Sequence, residues 1–328
     1  MARFPFPIPY GWFYLTEDKA LETGQILNLR RFGEDVILWR DEEGEPHLQE
    51  AYCPHLGANI GVGGKVKGKT IECPFHHWRF DAEGSVAEIP YATKVNPYAC
   101  LRTYPVKLHY GNLMAWYHPD GAAPFYDLPV VEKLETGEYR GPISQSHIIR
   151  TCVQEMAENT VDGAHFQTIH NHPGAANYER MEFDGHLMIM DSKQMFPSSQ
   201  GPVEGTLSTI STGFGFAVVQ YNTLAEICMV TVNCPIEDDV TEQVFQVYYR
   251  NPQGDPKLDR IGQAFATEVN RQLMDDVPIW ENKIYRERPY LCDGDGPFFR
   301  FRRWAEQFYQ SEAAGASAPR TPVEEYAQ

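Results

Sequence analysis

Cys53-Pro54-His55 and Cys73-Pro74-Phe75-His76 are separated by seventeen residues. Each segment offers one soft thiolate and one imidazole, and Gly61, Gly63, Gly64 and Gly68 punctuate the stretch between them. Two such loops, hung between short strands, can close around a metal centre. Zinc sites usually pair like ligands, two cysteines on one loop and two histidines on a helix. One cysteine and one histidine per loop instead suits a [2Fe–2S] cluster in which two thiolates hold one iron and two imidazoles the other. Neutral imidazole in place of thiolate makes such a cluster less negative and raises its potential. Four unrelated buried residues would leave the matching loops unexplained. His77 breaks the spacing and reads as structural or surface, and Trp78 as packing against the cluster.

The rest of the chain is large enough to need more than this one site. Its 328 residues are 42% hydrophobic, enough for one large or two ordinary domains. The charge balance, 28 Lys+Arg against 45 Asp+Glu, gives −17. Such a surface argues against nucleic acid, which needs clustered cations, and against anionic membranes. No stretch reaches the roughly 20 apolar residues of a membrane span. The seven cysteines are odd in number and irregularly spaced. In a chain this long they do not suggest a disulfide framework. A cytoplasmic, acidic protein is the expectation. The first 117 residues read as short β elements, with Asp35–Arg40 and Lys69–Glu72 strand-like. A Pro- and Gly-rich connector follows at His118–Pro124. Beyond it lie β-rich runs at Val218–Tyr221 and Cys228–Val232, then a helix whose Leu258, Ile261, Phe265, Val269 and Leu273 form one apolar face. The tail from about Ser311 reads as frayed. The expected class is α+β, with domains at 1–118 and 119–310 and a tail at 311–328.

A second constellation lies at Asp162-Gly163-Ala164-His165-Phe166-Gln167-Thr168-Ile169-His170. Asp162 and His165 share a helical face. His165 and His170 are about 140° apart on an ideal helix, so the helix must end or bulge between them if both bind one metal. A non-haem Fe(II) site for O₂ activation takes two histidines and a carboxylate. The helix after Pro256 offers two carboxylates. Counted from Val269, Asp276 falls at about −20°, on the apolar face, and Asp275 at about −120°. A carboxylate among core residues needs a partner or a metal, so Asp276 is the candidate ligand and Asp275 a solvated neighbour. Pro278 is placed to kink this helix. The pocket is expected to be apolar and contributed by the β-rich run from about 205 to 235, although Phe214, Phe216 and Tyr221 within it individually read as ordinary core.

The two motifs, in this order, resemble the oxygenase component of Rieske non-haem iron oxygenases over nearly the whole chain. Cys73–Arg79, Asp162–Phe166, Asp276–Trp280 and Arg302–Tyr309 are most similar to the branch containing 3-ketosteroid 9α-hydroxylases and sterol-acting relatives such as cholesterol 7-desaturases. The resemblance implies an N-terminal Rieske [2Fe–2S] β domain with ligands Cys53, His55, Cys73 and His76. A helix-grip catalytic domain follows, an antiparallel sheet curled around a long helix, with Fe(II) on His165, His170 and Asp276. It also implies a head-to-tail homotrimer in which Asp162 bridges His76 of one subunit to His165 of the next.

The function implied is a monooxygenase hydroxylating a steroid or sterol with O₂. Electrons come from a separate NAD(P)H-dependent reductase, with or without a ferredoxin, because the chain has no G-x-G-x-x-G element of its own. Desaturation, or stepwise oxidation of a sterol methyl group as in C-4 demethylation, are alternatives at the same iron. From a different class, the chain could be a Rieske electron carrier with a non-catalytic ligand-binding domain. The complete second constellation and the chain length argue against that reading.

Overall fold

The computed structural model describes residues 3–96, 98–174, 176–196, 201–223 and 225–310. The expectation for the tail from 311 falls outside these described residues.

Glycine turns and short extended runs build the N-terminal part as three small antiparallel sheets. One joins Gly11–Glu17, Asn112–Tyr117 and Val106–His109. A second orders Ile26–Arg31, Glu34–Arg40, Pro46–Glu50 and Thr103–Tyr104, and the third Lys65–Lys67, Thr70–Glu72, Arg79–Phe80 and Val86–Glu88. The strands expected near 35–40 and 69–72 are among them. Between the second and third sheets sits a core of Ile37, Trp39, Ala51, Ile60, Ile71 and Phe80, which also takes in Cys53 and Cys73. Residues 118–131 carry no helix or strand and lead to a one-turn helix, α1 (Glu132–Glu135).

Downstream, one antiparallel sheet of seven strands dominates. Asn177–Asp184, Leu187–Phe196, Val203–Thr212, Phe216–Asn222, Glu226–Glu237 and Val240–Arg250 follow one another as a meander. Tyr139–Ile149 then pairs with the last of them. Helices α2 (Val153–Glu158) and α3 (Gly163–Thr168) fill the long connection after Tyr139–Ile149. Helix α4 (Pro256–Asn282) packs on Val240–Arg250 and Tyr139–Ile149, and α5 (Phe298–Ala305) leads into a short 3-10 turn, Glu306–Tyr309, at the end of the described chain. Asp255 caps α4, accepting from Lys257 N at 2.8 Å, with Pro256 in the first turn.

The face α4 buries overlaps the expected one, with Leu273 buried and Phe265 and Val269 packed against the core, but is not identical to it. Gly262, Ala266, Leu273, Asp276 and Trp280 are its buried residues, whereas Leu258 and Ile261 are only partly covered. At Gly262 a Cβ would lie 2.3 Å from the Tyr249 ring, so small residues let this half of the helix come close to the sheet. The helix continues through Pro278 to Asn282. The main core is continuous across the connector. It unites Phe13, Trp116 and Leu113 with Phe216, Val232 and Phe301, so the first sheet rests against the seven-stranded one.

Candidate metal centres

The two cysteine–histidine loops are folded alike. Cys53 N–H donates to Ala58 O at 2.9 Å, and Gly57 N–H donates to Cys53 O at 2.9 Å. In the second loop Cys73 N–H donates to Trp78 O at 2.8 Å, and His77 N–H to Cys73 O at 3.1 Å. The fourth residue after each cysteine is left-handed, Gly57 at φ +73° and His77 at φ +59°. His77 therefore occupies the turn position that glycine fills in the other loop. Its ring points outward, with Nδ1 3.3 Å from Glu72 Oε1. The other two histidines face each other, the His55 and His76 ring centroids being 4.7 Å apart at 68°. Trp78 stacks on His55 at 4.6 Å and 7° and donates to Tyr91 Oη at 2.7 Å.

The donor chemistry fits a cluster. Cys53 and Cys73 are 3% and 2% exposed, while both histidines are partly exposed. Burial, helped by the neighbouring Cys73, pushes the Cys53 thiol up to about 11, against the opposing pull of the His55 backbone N–H. A thiolate here needs a cation to offset its burial, which the iron of a cluster supplies. Of the other five cysteines, Cys152, Cys228 and Cys234 are buried, and Cys100 and Cys292 are exposed.

The second constellation is assembled by the end of one short helix and the middle of a long one. Asp162 caps α3, its Oδ1 accepting from Ala164 N and His165 N, both at 3.2 Å. After Thr168 the helix stops with a bulge: Ile169 N–H and His170 N–H both reach His165 O, at 2.7 and 3.4 Å, and Asn171 turns left-handed at φ +56°. That irregular end swings His170 back toward His165, leaving their rings 5.1 Å apart at 81°. From α4, Asp276 Oδ2 approaches His170 Nε2 at 3.4 Å and accepts from Asn159 Nδ2 at 3.3 Å. One ligand atom from each of His165, His170 and Asp276 lies within 4.8 Å of the other two.

These residues fit a divalent metal of the iron type. His165 is 9%, His170 4% and Asp276 9% exposed. No Lys or Arg among the described residues pairs with Asp276, so its charge faces only imidazoles and an amide. Burial lowers the basicity of His165, outweighing the pull of Asp276. The His165 Nδ1–H donates to the Asp162 backbone carbonyl, which leaves Nε2 as the free ligand atom. Asp162 thus meets this ring through its carbonyl. Oδ1 of its carboxylate caps α3. Asp275 is half-exposed and paired with Arg271 at 2.6 Å, with an oxygen 3.9 Å from His170 Nδ1.

Several contributors were not legible beforehand. Asn159 is one. His172 is another, 5% exposed beside His170, with burial lowering its basicity. Gly296 is a third, pressed so closely on Val161 that a Cβ would fall 1.6 Å from the carbonyl oxygen. Behind the triad, Arg302 binds Glu158 through two bonds of 2.7 and 2.9 Å and ties α5 to α2. His165, His170 and Asp276 open onto a cleft of about 1020 Å³, part of it open to solvent. Met190, Leu207, Val219, Met229, Phe245 and Trp280 make it largely apolar. Phe214, Phe216 and Tyr221, expected to be ordinary core, also line it.

With this geometry described, comparison with known proteins adds the lineage. Residues 11–105 match the Rieske [2Fe–2S] domain, and residues 115–309 the 3-ketosteroid 9α-hydroxylase C-terminal domain. A 3-ketosteroid-9-alpha-monooxygenase oxygenase component of Rhodococcus rhodochrous is 31% identical over 91% of this chain and 82% of its own length. A cholesterol 7-desaturase of Xenopus laevis is 30% identical over 95% of this chain and 74% of its own. Among solved structures, dicamba monooxygenase bound to dicamba superposes with a TM-score of 0.75 at 16% identity, covering 93% of this chain and 98% of the other, a likeness of fold. The chain belongs to the 3-ketosteroid 9α-hydroxylase family of Rieske oxygenases, enzymes built on a [2Fe–2S] cluster and a mononuclear iron.

Proposed function

We propose that this chain is the oxygenase component of a multicomponent monooxygenase that hydroxylates a steroid or sterol, fed by an NAD(P)H-dependent reductase, with or without a ferredoxin. The convergence of His165, His170 and Asp276 at the wall of an apolar cleft carries the reading. Cys53, His55, Cys73 and His76 would hold the cluster, and those three the iron. When bound, the two centres supply electrons and activated O₂ for attack on a C–H bond.

The chain's own residues do the positioning. Asp162, through its carbonyl, and the bulge after Thr168 set the two histidines. Asn159 steadies the Asp276 carboxylate, and the apolar walls exclude water while holding a rigid ring system against the site. Residues 1–118 and 119–310 serve as electron-receiving and catalytic domains. Partial exposure of His55 and His76, ringed by exposed Leu56, Phe75 and Tyr91, supports a head-to-tail trimer in which Asp162 lies between His76 of one subunit and His165 of the next. Among the described residues no helix is long and apolar enough to cross a membrane. Use of NAD(P)H-derived electrons supports a cytoplasmic location.

Desaturation is the second reading, favoured by the 30% identity to a cholesterol 7-desaturase. A turnover assay with reductase, NADH and O₂ decides between them, offering 3-ketosteroids, cholesterol, 4-methyl sterols and simple aromatics. A steroid product heavier by one oxygen supports hydroxylation, and one lighter by two hydrogens supports desaturation. Turnover confined to aromatics would contradict both.

A further inference from the structure

The cleft is not uniformly apolar. Asn233 and Gln243 face each other directly across adjacent antiparallel strands, so their side chains emerge on the same face of the sheet. Both line the cleft, yet they are only 8% and 6% exposed. In the next row Thr231 stands opposite Ala217 and Phe245. Further along the strands Val219 faces Met229, and Tyr221 faces Ile227. Two polar side chains therefore meet at one end of these strands, with apolar residues further along.

Among the described residues, two atoms there lack partners. Asn233 Nδ2 donates to Phe214 O at 2.8 Å. This fixes the amide, because the flipped form would set its oxygen against that carbonyl. Oδ1 is left as a buried acceptor with no donor, and so is Gln243 Oε1. Buried polar atoms in this condition are uncommon and costly.

We propose that Asn233 and Gln243 read a hydroxyl group on the ring substrate, so that this enzyme binds a hydroxysteroid or sterol more tightly than the corresponding ketone. A hydroxyl donates its proton to Asn233 Oδ1 and accepts from the Gln243 amide N–H. A ketone has no proton to give and leaves Asn233 Oδ1 unpaired. This inference rests on the steroid or sterol reading above and deepens it by naming the functional group recognised.

The test titrates the holoenzyme with matched steroid pairs, 3-hydroxy against 3-keto and 17-hydroxy against 17-keto, because either end of the ring system can enter first. Quenching of tryptophan fluorescence, with Trp280 in the cleft wall, reports affinity independently of turnover, and equilibrium dialysis checks it. In at least one pair the hydroxyl form binds about tenfold or more tightly, the effect of one unpaired buried acceptor. Asn233→Leu brings that ratio close to one by weakening the hydroxyl form while the ketone is little changed. Equal affinities in both pairs overturn the proposal, and so does a hydroxyl preference that Asn233→Leu leaves intact. Should Asn233→Leu not fold, the unmodified enzyme's ratio together with Gln243→Leu decides on the same terms. If no steroid binds at all, the substrate class itself is wrong and this inference falls with it.

Discussion

The two histidine pairs are alike in geometry and opposite in setting. His55 and His76 stand 4.7 Å apart, and His165 and His170 stand 5.1 Å apart. The first pair is partly exposed on loops between strands of two to five residues, beside Leu56 and Phe75, which are 65% and 58% exposed. The second lies buried, where α3 ends against a 27-residue helix and a seven-stranded sheet. A centre that receives electrons from another protein needs ligands near the surface. A centre that attacks C–H bonds needs to be shielded from water. The small sheets suffice to present two loops; the long helix and broad sheet are what it takes to enclose a slot.

Breaking either end should separate these roles. Asp276→Ala removes the only carboxylate of the buried triad. Turnover should fall by more than about a hundredfold, beyond the loss typical of residues that merely support a ligand. Cluster absorbance should be unchanged, and retained turnover would show that Asp276 is no ligand. His55→Cys does the reverse, adding a thiolate at the exposed end. The cluster potential should drop, measured by redox titration, and turnover should slow while the buried iron stays bound.

Arg302→Met tests how the buried end is braced. It leaves Glu158, with its side chain 6% exposed, without its cation. Loss of one partner of such a pair costs about 3–5 kcal/mol, read as a lower denaturation midpoint. The N-terminal sheets should keep their cluster signal under conditions where this variant loses iron. An unchanged midpoint would mean that α5 does not brace α2.

His109 gives the smallest effect. Burial, with Lys107 nearby, lowers its pKa to about 4, although its bond to Pro129 O pulls the other way. The unfolded chain binds this proton near 6.5 and the folded one only near 4. Stability is thus full above about pH 6.5 and declines as pH falls toward 4. His109→Phe should flatten the stability profile in that window. An unaltered slope would assign acid sensitivity to other groups.

Legibility in the sequence followed the same division. The cluster loops could be read because each ligand pair is local and the two loops repeat one pattern. Asp276 could be read because a helix converts sequence spacing into angle. The His165–His170 pair was legible only as a condition, that the helix break between them, and the bulge onto His165 O is how the chain meets it. Contacts bridging distant segments left no trace: Asn159 to Asp276 spans 117 residues and Arg302 to Glu158 spans 144. Asn233 and Gln243 are ten residues apart and are brought opposite each other only by strand register. The contact face of α4 was misread around Leu258 and Ile261, because close packing against Tyr249 favours Gly262 and Ala266 over larger apolar side chains.

Counting metal tests the two-centre arrangement most directly. Iron and acid-labile sulfide should be quantified on the purified enzyme and on Asp276→Ala. A [2Fe–2S] cluster plus one mononuclear iron requires three irons and two sulfides per chain, falling to two irons with two sulfides in the variant. Two irons per chain in an enzyme with full turnover, or three irons retained in Asp276→Ala, would contradict it.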